Sequence, residues 1–300
     1  MTQKPRASIS DVREYWSENP CGADQSDASD RRRYFEEIER RRYAQEYHIV
    51  PEGAFTTFAG KRVLEIGCGV GTDGAQFARG GALYTGINID AGSVALARER
   101  FELERLPGTI RQMNAERLEF PDGTFDHVYS FGVIHHSPNT ERIVREMFRV
   151  LKPGGTVTVM VYNKSSVNYW FEIMFLRKLF RLALIPEGAP KILATMIGLD
   201  DQKLRKHRAI FLSERMTHER WVSINTDGPD CPLAKVYDAG TARAMFDAAG
   251  FAEISTGLRY FQTDHYGRLA VLIPRAFAEW LGRAAGWHRY IRARKPGPAA

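Results

Sequence analysis

The sequence predicts an α/β protein in which strands and helices alternate around a parallel sheet. From residue 61 to residue 162, short β-rich runs alternate with stretches of helical periodicity, which is the pattern of βαβ units. A glycine-rich segment, VLEIGCGVG at 63–71, lies in the first run and the turn after it, just before a helical stretch. The composition, 44% hydrophobic and 26% charged, is ordinary for a globular protein, and 300 residues allow one main domain with additions.

Residues 1–55 predict an N-terminal helical cap. The run SISDVREYW begins at Ser8 with a good N-cap residue type, and a second helical stretch pairs acids with arginines four residues later. The intervening NPCGADQSDAS is a loop by its Pro, Gly, Asp and Ser content. We expect the arginine triplets at 31–33 and 40–42 to form a solvated helix face. The aromatic residues that could pack over a ligand or onto the core are Tyr15, Trp16, Tyr43 and Tyr47.

Residues 56–162 predict the core of the domain. Helical stretches follow Thr72, Ser93 and Asn139, and each separates two β-rich runs or groups of runs. The segment KPGG at 152–155 predicts the turn that ends the third helix and leads into the fifth strand. The five β-rich runs are RVLEIG, LYTGINI, TIRQMN, DHVYSFG and TVTVMVY.

The alternation stops after residue 162 and resumes at residue 237. Residues 163–236 mix aromatic and basic helical stretches with a loop, NTDGPDCPLAK, and we expect them to form a helical lid inserted over the strand ends. Residues 237–295 return to the earlier pattern and complete the core sheet, while 296–300 predict a frayed tail. The completing helices and strands are TARAMFDAAGF, AEISTGLRYF, PRAFAEWLGRAAG and WHRYIRARK, in that order.

Charge and cysteine content limit the partners. The net charge is +6, with 21 Lys+Arg against 23 Asp+Glu in 1–162 and 21 against 13 in 163–300. A basic half suits an anionic substrate, a nucleic acid or a membrane surface, and equally a solvated surface. Three widely spaced cysteines suit neither a disulfide framework nor a metal knuckle, so we expect no metal. Without an apolar leader or a run of roughly 20 apolar residues, the sequence predicts a cytoplasmic protein.

The glycine loop predicts a ligand that approaches the backbone closely, because glycine leaves the N–H groups uncovered. Three of the loop glycines, Gly69-x-Gly71-x-x-Gly74, match the dinucleotide-binding fingerprint. A loop of that type mainly binds the diphosphate of its ligand. However, Glu65 stands just before the turn, and a carboxylate there suits a ligand that bears an ammonium group. We therefore expect Gly74 to serve helix packing and the working motif to begin at Glu65.

These residues resemble the class I S-adenosylmethionine-dependent methyltransferases. VLEIGCGVG matches the first motif of that family nearly letter for letter, and GINID, QMNAERLEFPDGTFDHVYSFGVIHH and RVLKPGG follow in the family's order and spacing. The resemblance covers about residues 61–162 and, less strongly, 237–260. It implies a Rossmann-like fold with a mostly parallel seven-stranded sheet, an antiparallel last strand and helices on both faces. It also implies S-adenosyl-L-methionine as the cofactor and S-adenosyl-L-homocysteine as its product.

The resemblance also implies which residues hold the cofactor. The loop glycines would line its methionine part, with Glu65 supporting the contacts to the amide and ammonium groups. The implied cofactor-binding residues are Glu65, Gly67, Cys68, Gly69, Gly71, Asn88, Ile89, Asn114, Ala115, Glu116 and Phe131.

Two amides stand where the family usually has acids. Asn88 occupies the position of the acid that accepts both ribose hydroxyls, and Asn114 begins the usual Asp-Ala pair beside the adenine. An amide can accept one hydrogen bond and donate another, so Asn88 can still contact the ribose and Asn114 the adenine, without the negative charge of an acid. Asp90 is an alternative ribose contact and is also a candidate helix N-cap.

Two histidines are the candidates for the chemistry of methyl transfer. His135 and His136 follow the fourth strand at its carboxyl edge, where a base could remove a proton from a hydroxyl or an activated carbon. Adjacent residues point in different directions, so at most one of the two should face the acceptor. A structural role in the cofactor loop is the alternative for either.

One helix of the lid predicts how the acceptor is covered. Helical spacing puts an apolar row on one side and Arg177, Lys178 and Arg181 on the other. Such a helix can pack its apolar side on the domain with its charges in solvent, cover a hydrophobic acceptor, or touch a membrane surface. The apolar row is Phe175, Leu176, Leu179, Phe180, Leu182 and Ala183.

The predicted function is methylation of an O, N or C atom of a small molecule, with hydrophobic or anionic acceptors as candidates. An RNA or protein methyltransferase is an alternative, although no recognition module and no Asn-Pro-Pro-Tyr type of motif is found. A non-catalytic S-adenosylmethionine-binding protein is another, because Asn88 and Asn114 weaken individual contacts. The motifs after the loop disfavour a nicotinamide dehydrogenase. We expect no nucleic-acid partner, and the oligomeric state stays open.

Overall fold

A seven-stranded mixed sheet forms the centre of the protein, in the order β3-β2-β1-β4-β5-β7-β6. The structure, a computed structural model, describes residues 7–198, 200–261, 263 and 272–297. The first five strands run parallel, and β7 lies antiparallel between β5 and β6, which confirms the predicted mostly parallel sheet. The strands are β1 Arg62–Ile66, β2 Leu83–Asn88, β3 Thr109–Gln112, β4 Phe125–Phe131, β5 Leu151–Tyr162, β6 Ala252–Arg259 and β7 His288–Arg294.

The predicted turn at KPGG is wrong. Residues 152–155 belong to β5, which starts directly after the helix that ends at Val150. The pairing of β4 with β5 shifts register between Phe125 and His127, and Gly154 has a φ of +78°, so this glycine-containing segment is an irregular strand rather than a turn.

The helices lie on both faces of the sheet, and several begin at the caps that the sequence predicts. Ser8 forms a capping box with Asp11, and the Asp90 side chain accepts a hydrogen bond from the backbone N–H of Ser93 at 2.6 Å. The α-helices are α1 Ile9–Glu18, α2 Arg31–Gln45, α3 Ile49–Gly53, α4 Thr72–Arg79, α5 Ala91–Leu103, α6 Thr140–Val150, α7 Arg177–Ala183, α8 Ala189–Ile197, α9 Asp201–Ser213, α10 His218–Thr226, α11 Ala239–Asp247 and α12 Arg275–Ala285.

The lid region has a core of its own. Tyr169, Trp221 and Phe211 are buried there together, and the indole N–H of Trp221 donates to the carbonyl of Ile173 at 2.9 Å. This cluster continues to Trp287, just before β7, and to Tyr162 at the end of β5, so the lid packs where β5 ends and β7 begins.

The first lid helix departs from the predicted orientation. A π-helix, Asn168–Leu176, leads directly into α7. Phe175, Leu179 and Leu182 are more than half exposed to solvent, so, of the alternatives for this helix, packing of the apolar row on the domain does not hold for these three residues.

Two further predictions concern membrane-spanning helices and the ends of the chain. In the described ranges, no helix combines the length and the apolar character that crossing a bilayer requires. Of the predicted tail at 296–300, residues 298–300 lie outside the described residues, as do residues 1–6 of the predicted cap.

Candidate cofactor and acceptor site

A deep cavity lies at the carboxyl ends of β1, β2 and β4, under the N-terminal helices α1 and α2. The cavity has a volume of about 190 Å³, and it follows the rule that ligands of open α/β sheets bind beyond the carboxyl ends of the strands. Most of the sequence-predicted site residues line it, whereas Gly71, Glu116 and His135 do not. Those that line it are Glu65, Gly67, Cys68, Gly69, Asn88, Ile89, Asn114, Ala115, Phe131 and His136.

The glycine loop owes its shape to positive φ angles and close packing. Gly67 has a φ of +81°, and a Cβ there would lie 2.2 Å from a methyl carbon of Val133. Gly69 has a φ of +50°, but a Cβ there would meet nothing closer than the Cys21 carbonyl oxygen at 3.9 Å, so the space above it is open. At Gly74 a Cβ would lie 2.3 Å from the Tyr84 hydroxyl, which confirms the predicted packing role of that glycine.

Glu65 is a buried carboxyl group at the floor of the cavity. The Tyr84 hydroxyl donates to its Oε2 at 2.5 Å. Burial, together with the nearby Asp73 carboxylate, raises the pKa of Glu65 to about 8. A cationic group of a ligand placed beside Glu65 would favour the ionised form and so lower that pKa.

Asp73 and Arg42 form a buried ion pair at the cavity wall. Two guanidinium nitrogens of Arg42 donate to the two carboxylate oxygens of Asp73 at 3.1 and 2.9 Å. The hydroxyls of Tyr43 and Tyr129 each donate to the same carboxylate at 3.0 Å. The guanidinium of Arg42 also lies 4.9 Å from the ring centre of Phe131.

The sequence missed Arg42 and Asp73 as site residues. Arg42 belongs to an arginine triplet that was expected to be a solvated helix face, and for this member the expectation is wrong. Its helix α2 supplies one wall of the cavity, and only the packing of α2 on α4 brings the two charges together.

Asn88 and Asp90 lie side by side at the end of β2. The Asn88 side-chain oxygen accepts a hydrogen bond from the N–H of Ile89 at 3.0 Å. Asp90 caps α5 with Oδ1, while its Oδ2 is buried and has no hydrogen-bond partner among the described residues. Asp90 lines the cavity, so this oxygen is available to a ligand.

The residues of the segment Asn114-Ala115-Glu116 have two different roles. The Asn114 side-chain oxygen accepts from the backbone N–H of Glu116 at 2.9 Å, and this local turn holds Asn114 and Ala115 at the cavity. The Glu116 carboxylate accepts hydrogen bonds from Ser137 at 2.6 Å and Asn139 at 2.9 Å. Glu116 therefore anchors the loop after β4, at a place that does not line the cavity.

His136 is oriented with one ring nitrogen available. Its Nδ1 lies 2.7 Å from the carbonyl oxygen of Leu233, and because a carbonyl can only accept, Nδ1 carries the proton in the neutral ring. The Nε2 atom then presents a lone pair, and it has no hydrogen-bond partner within the described part of the chain. The ring lies edge-on to Trp16, with 5.1 Å between ring centres.

His135 has a different environment. It is fully buried, its ring lies 4.0 Å from that of Tyr162, and burial lowers its pKa well below the usual value for histidine. Neither ring nitrogen has a partner among the residues described. The two adjacent histidines thus point to different places, and only His136 reaches the cavity.

Asp227 brings a carboxylate from the lid to His136. Its Oδ2 lies 3.9 Å from His136 Nε2 and has no other polar partner in the described ranges. Its Oδ1 accepts from the hydroxyl of Tyr162 at 2.7 Å, and its backbone carbonyl accepts from Tyr15 at 2.6 Å. Sequence analysis missed Asp227, since a Gly/Pro loop 91 residues after His136 carries no local signal for this contact.

Two groups of side chains in this part of the molecule could hold a metal ion. His136, Asp227 and Cys231 form one, and Glu46, His48 and His288 form the other, with the ligand atoms of each within 4.8 Å of one another. In the second group, His48 Nε2 and His288 Nδ1 already form a hydrogen bond to each other at 3.1 Å.

Comparisons with known proteins find similarity to methyltransferases over part of the chain. Residues 64–159 match the family model described as "Methyltransferase domain". Over 132 residues the chain is 34% identical to a ubiquinone biosynthesis O-methyltransferase of Pseudomonas aeruginosa, a match that covers 43% of this chain and 56% of that protein. It is 36% identical over 104 residues to the methyltransferase GfsG of Streptomyces halstedii, covering 34% of this chain and 37% of the relative. The chain thus spans about half the length of the first relative.

Among solved structures, the fold is similar to that of the [4+2]-cyclase SpnF, with a TM-score of 0.56 and 18% identity over 99% of this chain and 100% of the other. At this identity the likeness concerns the fold alone. It extends the match beyond the 64–159 segment to nearly the whole chain, including the lid and the N-terminal cap.

Proposed function

We infer that this chain, which belongs to the class I S-adenosylmethionine-dependent methyltransferase superfamily, transfers a methyl group from S-adenosyl-L-methionine to a hydroxyl group of a small molecule. One observation carries the proposal. The glycine loop and His136, whose Nε2 has no hydrogen-bond partner among the described residues, line the same cavity, so a methyl donor and a proton acceptor would meet there.

The residues present fit the cofactor. Gly69 leaves open space above the loop for the methionine part, and Glu65 supplies a carboxyl group for its ammonium. Asp90 Oδ2 is the buried acceptor that still needs a donor, and a ribose hydroxyl is such a donor. Asn88 adds a second polar contact there, and Asn114 with Ala115 would border the adenine.

When bound, this cofactor supplies an electrophilic methyl group on a positively charged sulfur. Attack by the acceptor oxygen on this methyl carbon would break the carbon–sulfur bond, and the electron pair of that bond would stay on sulfur. The hydroxyl proton passes to Nε2 of His136, which the Leu233 carbonyl holds in the required tautomer. Asp227 Oδ2, 3.9 Å away, stabilises the resulting imidazolium. The cap helices α1 and α2 exclude water from this reaction.

His136 is our candidate base, while His135 has a structural role under Tyr162. The remaining predicted contacts, from Cys68, Ile89 and Phe131, would be apolar walls of the cofactor site. Gly71 caps α4, and Glu116 holds the loop after β4, so both would act on the cofactor indirectly. The division into cap 1–55, core 56–162, lid 163–236 and completing segment 237–295 stays a prediction, as does the cytoplasmic location.

The choice of O-methylation is supported by the name of the ubiquinone relative and by the chemistry of His136. A neutral imidazole is suited to remove a proton from a hydroxyl group near neutral pH. The structural neighbour SpnF is named a [4+2]-cyclase, so this fold by itself does not determine that a protein transfers methyl groups. RNA and protein acceptors are not favoured.

Calorimetric titration tests the cofactor. The chain should bind S-adenosyl-L-methionine and not NAD, and the variant Gly69→Arg should lose this binding because its side chain fills the open space above the loop. Absence of heat and of a thermal shift at millimolar S-adenosyl-L-methionine would refute the proposal.

A matched pair of variants tests the base. With a panel of phenols and catechols as acceptors, release of S-adenosyl-L-homocysteine by His136→Ala should fall by about 10²- to 10⁴-fold, with cofactor affinity unchanged. His135→Ala removes the neighbouring ring, which does not line the cavity, and should retain turnover per folded molecule. Full activity of His136→Ala would remove the base assignment.

A further inference from the structure

The lid exposes an apolar surface that nothing in the core domain covers. In the described residues, fourteen large hydrophobic side chains are strongly exposed, and eight of them fall between residues 170 and 196. Such a concentration is unusual, since large apolar patches on soluble monomers mark interaction sites. We call this surface the lid face, and it consists of Trp170, Phe171, Phe175, Leu179, Leu182, Ile185, Ile192 and Met196.

In this segment the large apolar side chains are exposed, while several charged side chains make contacts within the protein. Glu172 is buried and accepts from Arg177 at 3.0 Å, and Arg181 donates to the carbonyl of Phe211 at 3.1 Å. On this helix two of the three cations therefore serve internal contacts, while Phe175 and Leu182 are 53% and 63% exposed. The segment therefore buries one apolar side, with Ile173 and Leu184 in the lid core, and exposes further large apolar side chains, whereas an ordinary surface helix has only polar residues on its outer side.

The charges that remain on this surface are mainly positive. Lys178 lies between the exposed apolar residues of α7, and Lys191 lies beside Ile192 on α8. Across 168–198 the acids are Glu187, which is exposed, and Glu172, which the ion pair with Arg177 neutralises. If a second copy of the chain packed on the same surface by a two-fold axis, lysines would approach lysines. An anionic bilayer complements both the apolar and the cationic character.

We propose that the lid face docks on the surface of an anionic lipid bilayer, with its aromatic and aliphatic side chains in the interfacial region and its lysines at the headgroups. The contact is peripheral, because it uses only the exposed side of 170–196. It does not depend on the proposed methyl transfer, since it can be measured without cofactor or acceptor. Its consequence is a chain held with its lid against the membrane.

Sedimentation with large unilamellar vesicles tests this docking. The full chain should bind vesicles of phosphatidylcholine with 25% phosphatidylglycerol, and bind vesicles of pure phosphatidylcholine more weakly. Leu182→Glu should reduce the partition coefficient by about tenfold or more, because it replaces an inserting side chain with an anion. Leu83→Glu is the matched control, since Leu83 is 60% exposed at the start of β2, outside the lid, and its variant should bind like the unmodified chain.

Tryptophan fluorescence locates the contact. Trp170 in the lid face and Trp280 in α12 are 58% and 57% exposed. Added vesicles should shift the emission to shorter wavelength, and Trp170→Phe should lose this shift, whereas Trp280→Phe should keep it. The proposal is overturned if the chain does not bind anionic vesicles, or if the shift depends on Trp280. It is also overturned if Leu182→Glu instead dissolves a dimer seen by light scattering, which would assign the lid face to a second copy.

Discussion

Replacing Gly67 with alanine separates two reasons for a glycine at the first position of the loop. The residue has a φ of +81°, where a side chain is strained, and a Cβ there would lie 2.2 and 2.7 Å from the two methyl carbons of Val133. Gly69 provides the comparison, because its φ is also positive, at +50°, but a Cβ would find no atom closer than 3.9 Å. Gly67→Ala should therefore suffer strain and overpacking together, and Gly69→Ala strain alone.

The expected magnitudes follow from these two contributions. A left-handed backbone costs an ordinary residue about 1–2 kcal/mol. Forcing a methyl group into a packed contact costs about 1–3 kcal/mol more. The free energy of unfolding should fall by about 2–5 kcal/mol in Gly67→Ala and by about 1–2 kcal/mol in Gly69→Ala.

Urea denaturation of the two variants, and of Val133→Ala alone and combined with Gly67→Ala, measures both contributions. Since Val133→Ala removes the clashing methyl groups, the double variant should be more stable than the sum of the single effects by about 1–3 kcal/mol. Equal losses in Gly67→Ala and Gly69→Ala, together with additive single effects, would refute the packing argument and leave only the backbone conformation.

Three other predictions concern the cavity wall. Because the folded chain raises the pKa of Glu65 from 4.5 to about 8, it binds that proton more tightly than the unfolded chain does. The free energy of unfolding should thus decrease as the pH rises from about 4.5 to about 8, and urea titrations of Glu65→Gln should show a flatter pH profile; an unchanged profile would contradict this. Arg42→Met leaves the Asp73 carboxylate buried without its cation and should cost about 3–5 kcal/mol, of which Asp73→Asn in the same chain should restore a large part; additive losses in urea would argue against the ion pair. Asn88→Asp restores a charged acceptor and should strengthen S-adenosyl-L-methionine binding up to about tenfold by calorimetry, whereas weaker binding would assign the ribose contact to Asp90 alone.

Much of the core was predictable because its signals are local. The parallel strands were recognised as short β-rich runs between turn residues, and each of the first five is found close to its predicted place. Asp90 could be identified as a cap because the Asp side chain and the N–H it accepts from are three residues apart. Gly74 was predictable as a packing residue because its neighbours in the loop already supplied the ligand motif.

The functional centre was less predictable because its members come from distant segments. Arg42 on α2 meets Asp73 on α4, and Asp227 from the lid meets His136 after β4. In neither pair does the sequence spacing bring the two side chains together, so no periodicity or motif marks them. The choice between His135 and His136 likewise depends on which ring reaches the cavity, which two adjacent letters do not reveal.

By itself, the sequence determined the alternation of strands and helices, the glycine loop with Glu65 and the resemblance of these motifs to the class I methyltransferases, because each depends on neighbouring residues. Only the tertiary structure decided that His136 rather than His135 faces the cavity, that Arg42 is a wall residue, and that Phe175, Leu179 and Leu182 of the lid face solvent. The last point shows the physical reason most clearly. Leu184 is buried against Trp221 and other residues of the lid core, whereas Leu179 and Leu182 nearby are exposed, and which apolar residues face inward depends on contacts with segments distant in the sequence.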